Sequence, residues 1–218
     1  MKETLKHRTL SGALLEDLRQ AILSGVYRPG TQLRQDMLAA TYNVSRIPIR
    51  EVLFQLEAEG LVRIVPQKGA VVAPLSLSEI DDVFDLRALL EPRLLAASAP
   101  QLQEADFAAL DALQARFVAA TGAGDTSQYG TLNAALHQAL YVHAAMPRTA
   151  QIVAALLQTS DRYTRLQLST PEAMARAVRE HAELIALCRQ GQVEAAVSAL
   201  KRHVDQVRED LLAVLELG

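Results

Sequence analysis

Residues 41–69, TYNVSRIPIREVLFQLEAEGLVRIVPQKG, place two arginines four residues apart beside a proline, then a glycine, then two β-branched runs joined by Pro66-Gln67-Lys68-Gly69. Ser45 can accept a hydrogen bond from a first-turn amide, and Pro48 lacks only a donor that has no partner in a first turn. The spacing predicts a helix from about Arg46 to Glu59. On it Ile49, Leu53 and Leu56 follow the i, i+4, i+7 rule, while Arg46 and Arg50 fall on a different strip, roughly a quarter turn away. Gly60 stops that helix, and Leu61 to Val65 and Ala70 to Ala73 form a hairpin with Lys68 at its tip. One face packs and another stays free.

The preceding segment supplies the support. Leu10, Leu14, Leu15, Leu18, Ile22 and Leu23 recur at helical spacing, and Tyr27-Arg28-Pro29-Gly30 ends that run in a tight turn. Leu33, Met37 and Leu38 are expected to open a second short helix that closes at Tyr42-Asn43, where Asn tolerates the left-handed backbone of a helix-to-helix turn. Helix, helix, turn, helix and hairpin make a winged helix-turn-helix, a shape that presents one helix to a DNA groove.

Arginine is a planar fork that bridges guanine O6 and N7 or holds a phosphate, so residue type leaves base reading and positioning both open. Arg46 and Arg50 are the leading DNA-binding candidates, with Arg34 beside them. Ser45 and Lys68 suit phosphate contacts, Ile47 a thymine methyl, and Gly69 a close approach of the wing backbone to the duplex.

These stretches resemble the DNA-binding domain of the GntR family of bacterial transcription regulators. The resemblance is carried by Tyr27-Arg28-Pro29-Gly30, Leu33 to Ala39, Val44-Ser45-Arg46-Ile47-Pro48-Ile49-Arg50-Glu51, Glu59-Gly60-Leu61-Val62 and Pro66-Gln67-Lys68-Gly69. It covers residues 8–75. The chain departs from the family at Gln35, where Glu is usual, and at Lys68, where Arg is frequent; Lys lacks the fork for a bidentate contact.

Charge divides along the same line. Residues 1–75 carry a net +3 and the remainder a net −6. A net of +3 is modest, so the placement of Arg34, Arg46, Arg50, Arg63 and Lys68 matters more than bulk charge. At 218 residues the chain has room for two small domains. A single cysteine, Cys188, rules out an internal disulfide, and its spacing with Leu184 and Leu187 points to packing. No apolar run reaches the roughly 18 residues needed to span a bilayer, and the N-terminus has no secretion-signal pattern, so a cytoplasmic protein with no membrane partner is expected.

Beyond Pro74-Leu75-Ser76 the chain reads as helices over about 79–98, 103–121, 126–144, 148–167, 172–190 and 193–216, with Ser78 a candidate cap for the first. The expected fold is therefore mainly α: a winged helix-turn-helix over 8–75 and an all-helical bundle over 79–215. Asn133 and His137 share one helix face, and His181 and His203 sit on the last two helices. Three imidazoles meeting with coordination positions to spare make a divalent site of the kind zinc or nickel favours.

Asn133-Ala-Ala-Leu-His137, Glu180-His181 and the run from Ala196 to His203 resemble the all-helical FCD effector domain of the FadR branch of the same family, in its shorter, VanR-like form. The resemblance implies a metal held by an Asp and three His, with Asn133 here in the Asp position. It also implies a pocket for a small carboxylate faced by an arginine, for which Arg87 matches best and Arg162 and Arg165 follow. The chain is thus expected to be a homodimeric, ligand-responsive regulator, a repressor by expectation, binding a double-stranded operator with half-sites about one helical turn apart. Two rivals remain: a metal-dependent hydrolase, for which no H-E-x-x-H motif is present, and a structural interaction module, which leaves the arginines unexplained.

Overall fold

The computed structural model describes residues 10–23, 25–66, 69–74, 77–125, 128–168 and 170–216. The chain divides into two compact units, Met1–Leu75 and Ser76–Gly218.

In the first unit α1 (Leu10–Leu23), α2 (Gln35–Tyr42) and α3 (Arg46–Ala58) are joined by a three-stranded antiparallel sheet of β1 (Gln32–Leu33), β2 (Val62–Val65) and β3 (Gly69–Val72), in the order β1-β3-β2. Leu14 and Leu18 of α1, Leu38 of α2, Ile49, Val52, Leu53 and Leu56 of α3, and Ala70 and Val72 of β3 form one core. The apolar stripe of α3 thus turns inward as its periodicity requires. Burying it contributes roughly 25 cal/mol per Å² of apolar surface, which fixes the roll of the helix and so the outward strip.

Asn43 takes the left-handed backbone, φ 51°, between α2 and α3, and its N–H closes on Ala40. This is the turn its side chain makes affordable. Leu33 differs from expectation. It lies in β1, paired with Ala70, because the two residues Gln32 and Leu33 add an edge strand to the hairpin and bury Leu33 against the core.

Gly69 has a structural reason of its own. Its φ is +86°, and a Cβ there would sit 2.6 Å from the Leu33 carbonyl oxygen. Gly69→Ala is expected to lower stability by at least about 1–2 kcal/mol, the cost of left-handed backbone alone, and to open the β1–β3 pairing. The urea midpoint of the full chain, followed by helical circular dichroism, checks this; an unchanged midpoint defeats it.

The second unit contains α4 (Leu77–Ser98), a 3-10 turn (Ala99–Gln101), α5 (Glu104–Ala123), α6 (Tyr129–Leu140), α7 (Pro147–Gln167), α8 (Pro171–Arg189) and α9 (Val193–Glu216). Helix α4 packs on α7 and α9, α6 lies against α5 and α7, and α8 packs on α5 and α9. Several boundaries differ from the sequence reading, among them the start of α6 at Tyr129 rather than 126 and the end of α5 at Ala123 rather than 121. Helix α4 begins at Leu77, so Ser78 lies within its first turn rather than at its cap, and α6 ends at Leu140, not at residue 144. Beyond it, His143 is held by Asp106 at 2.8 Å and its backbone N–H donates to Ser98 Oγ. Cys188 is buried, and burial pushes its thiol up to about 11. That makes it a packing residue.

Candidate DNA surface and metal-ligand cluster

On the DNA-binding unit the candidate residues are displayed as the amphipathic reading of α3 requires. Arg34, Ser45, Arg46, Ile47 and Arg50 are exposed. Arg46 Nε lies 2.7 Å from Asp36 Oδ1 across to α2, and the Arg50 guanidinium sits 5.8 Å from the centroid of the Phe54 ring one turn along α3. Surface pairs of this kind contribute at most about 1 kcal/mol, so neither arginine is committed. Ser45 occupies the N-cap position with an extended backbone, φ −72° and ψ 167°, but its hydroxyl makes no capping hydrogen bond. The expected intrahelical contact is absent, and the hydroxyl is left exposed at a helix N-terminus, where amides and dipole favour an anion. Arg34, Gln35 and Asp36 line a groove of about 480 Å³ with Ile64, Val65, Pro66 and Gly69 of the wing. Lys68 lies outside the described residues.

In the helical unit, His137 of α6, His181 of α8 and His203 of α9 converge. One ligand nitrogen from each lies within 4.8 Å of the others, and all three residues are buried. The ring centroids are separated by 5.6 Å (137 to 181), 5.4 Å (137 to 203) and 5.0 Å (181 to 203). Burial, reinforced by the neighbouring imidazoles, holds His181 far below the ordinary histidine value. Burial likewise keeps His137 low despite the opposing pull of Glu91. Both are therefore neutral near pH 7, the form that donates a lone pair to a metal.

Among the described residues, three ring nitrogens in this cluster have no hydrogen-bond partner: His137 Nε2 and both nitrogens of His181. An unpaired buried polar group costs roughly 1–3 kcal/mol. A cluster that leaves several of them facing one another fits a bound divalent cation, which removes that cost at once.

The sequence reading missed Glu91 and Tyr141. Glu91 on α4 is fully buried and accepts three hydrogen bonds: from Arg87 Nε at 2.5 Å, from His137 Nδ1 at 2.6 Å and from the Tyr141 hydroxyl at 2.6 Å. Burial alone would raise its carboxyl, but Arg87, His137 and Tyr141 overcome that and hold it well below the usual carboxylate range. On the other side Glu180 accepts from His203 Nδ1 at 2.7 Å. A Glu four residues after an Arg reads as an ordinary helix-surface pair, and only the packing of α4 into the bundle shows that this one is inside.

The other candidates fall as follows. Arg87 is buried, paired with Glu91 and lying 4.9 Å from the Phe84 ring centroid, so its Nε is already engaged. Asn133 is half-buried on α6, one turn before His137. The side chains of Arg162 and Arg165, on α7, lie outside the described residues. No helix among the described residues is long and apolar enough to cross a membrane.

Comparison with known proteins agrees with this geometry. Residues 10–72 match the model of the bacterial regulatory proteins of the gntR family, and residues 82–206 match the FCD domain. A helix-turn-helix transcriptional regulator of Streptomyces ambofaciens is 31% identical over 89% of this chain and 81% of its own length. The repressor GlaR of Escherichia coli is 42% identical over 36% of each chain. Among solved structures, McbR/YncC of E. coli superimposes with a TM-score of 0.80 over 94% of this chain and 98% of its own, at 21% identity, a likeness of fold. These families and relatives are regulators, which sets aside both the hydrolase and the structural module. The chain belongs to the gntR family of bacterial regulatory proteins, with an FCD domain as its C-terminal part, and is a DNA-binding transcriptional regulator, not an enzyme.

Proposed function

We propose that the chain is a ligand-responsive repressor that binds its operator as a homodimer in the cytoplasm. Its helical domain takes a small organic acid at a divalent metal, zinc or nickel by ligand type. The observation that carries the effector half is the meeting of His137, His181 and His203, all buried, with unpartnered nitrogens among the described residues. Those three side chains hold the ion, with Asn133 as the neutral fourth donor. A metal with open positions polarises and orients a carboxylate, and Arg87, Arg162 and Arg165 are the cations assigned to meet that anion.

On the DNA side Arg46 and Arg50 enter the major groove from α3. Arg34, Ser45, Lys68 and Gly69 hold the backbone, and Ile47 meets a base methyl. The similarity to a named repressor favours repression over activation. The domain boundaries adopted are 8–75 for DNA binding and 79–215 for effector binding and dimerisation.

Effector and operator are coupled through two placements of the paired DNA-binding units. A coupling of about 1–3 kcal/mol changes operator affinity roughly 5- to 150-fold, and operator DNA changes effector affinity by the same factor. The test takes an operator selected from a randomised duplex library. Its affinity is measured by fluorescence anisotropy with chelated protein, zinc-loaded protein, and zinc-loaded protein titrated with a panel of small mono- and dicarboxylates. At least one acid is expected to shift the affinity within that range, in the metal-loaded protein only. No shift with any acid on zinc or nickel sinks the effector half; no sequence preference in the selection sinks the operator half.

A further inference from the structure

Glu91 and Glu180 stand in matching relation to the cluster. Each carboxylate faces the Nδ1 of one histidine, at 2.6 Å from His137 and 2.7 Å from His203. A carboxylate is an acceptor, so in each pair Nδ1 carries the proton and Nε2 is left as the lone-pair donor. For His137 that nitrogen is the one without a protein partner. Glu91 cannot turn away to act as a ligand itself, because Oε1 is taken by Arg87 and Oε2 by His137 and Tyr141. Glu180 precedes His181 on α8 and reaches His203 on α9, so it ties together the two helices that bring those histidines in. His181 has no such partner.

On the metal reading above, the direct donors, three imidazoles and the Asn133 amide, would bring no negative charge to a divalent cation, whereas two carboxylates stand one ring away. We infer that Glu91 and Glu180 are positioning residues that supply from behind His137 and His203 the negative charge that Asn133 does not bring, fixing both rings with Nε2 as donor. The inference rests on the metal reading above. A carboxylate hydrogen-bonded to the far nitrogen raises the basicity of the ligating nitrogen and sets ring orientation, and losing such a partner typically weakens metal binding about 10- to 100-fold.

The arrangement also separates the two glutamates. Glu180 is 20% exposed and has no buried cation to strand, so Glu180→Gln keeps a side-chain acceptor for His203 and removes only the charge. Glu91→Gln leaves the buried Arg87 opposite an amide and risks the fold. Pairing it with Arg87→Met removes the stranded cation.

The experiment titrates cobalt(II) and zinc(II) into the chelator-stripped full chain. It compares wild type, Glu180→Gln, Glu91→Gln/Arg87→Met, and Glu180→Gln/Asn133→Asp, reading dissociation constants and the cobalt visible absorption. Wild type is expected to bind one ion per chain. Glu180→Gln and Glu91→Gln/Arg87→Met are each expected to bind about 10- to 100-fold more weakly with a shifted cobalt spectrum, while Asn133→Asp restores affinity in the Glu180→Gln background. A purely structural glutamate predicts no spectral shift and no rescue by a new carboxylate at position 133. If wild type binds and both carboxylate variants bind equally well, the inference is overturned while the metal reading stands; if wild type takes up neither ion, both fall.

Discussion

Replacing Arg46 and Arg50 together with alanine is expected to weaken binding at each operator half-site by roughly 30-fold to 10⁴-fold, from about 1–3 kcal/mol for each bidentate contact, a loss the two half-sites of a dimer compound. The fold should be untouched, because both side chains lie on an exposed strip of α3, about a quarter turn from the buried Ile49, Leu53 and Leu56. Arg46 gives up only an exposed pair with Asp36, and Arg50 only its place beside Phe54.

Salt separates the two roles that residue type leaves open. If the arginines hold phosphates, the slope of log affinity against log salt falls by about two per protomer, about four for the dimer, when both are removed, and binding weakens alike on operator and random duplex. If they read base edges, the slope is kept and discrimination between the two DNAs collapses. Operator affinity equal to wild type in the double variant removes the DNA reading.

Thermal unfolding supplies the second large effect. For wild type, zinc at about 100 times its dissociation constant is expected to add about 2.7 kcal/mol, raising the melting temperature of the helical unit by roughly 5–10 °C over the chelated protein. His181→Leu should abolish that rise. In chelator the same variant is expected to be within about 1 kcal/mol of wild type or more stable, since it replaces an imidazole whose two nitrogens have no partner with an apolar side chain of similar volume. A structural histidine gives the opposite result, a loss in chelator. Equal melting temperatures for wild type with and without zinc defeat the metal reading.

The α3 strip was readable because it depends on one helix: 13 residues with apolar positions at 3.6-residue spacing roll the same way in any packed context. The αL turn at Asn43 is local in the same sense, and it is where expected. Ser45 shows the limit even there. Its position as N-cap follows from the chain, but whether the hydroxyl bonds its own helix or stays outward is a rotamer choice worth about 1 kcal/mol, too little for pattern to decide. Leu33 was misplaced for a related reason, because a two-residue strand exists only through its partner Ala70, more than thirty residues away in sequence.

By itself, then, the order of residues determined the helices of both units, the hairpin, the outward arginines and the list of imidazoles able to bind an ion. These depend on backbone preferences and on periodicities that repeat within a few turns. Tertiary packing alone decided that His137, His181 and His203 share one point, that Glu91 is inside with Arg87 paired to it, and that Gly69 must clear the Leu33 carbonyl. Those facts turn on how helices cross and which strand edge is covered, where a rotation of a few tens of degrees moves a side chain from core to water without changing any local pattern.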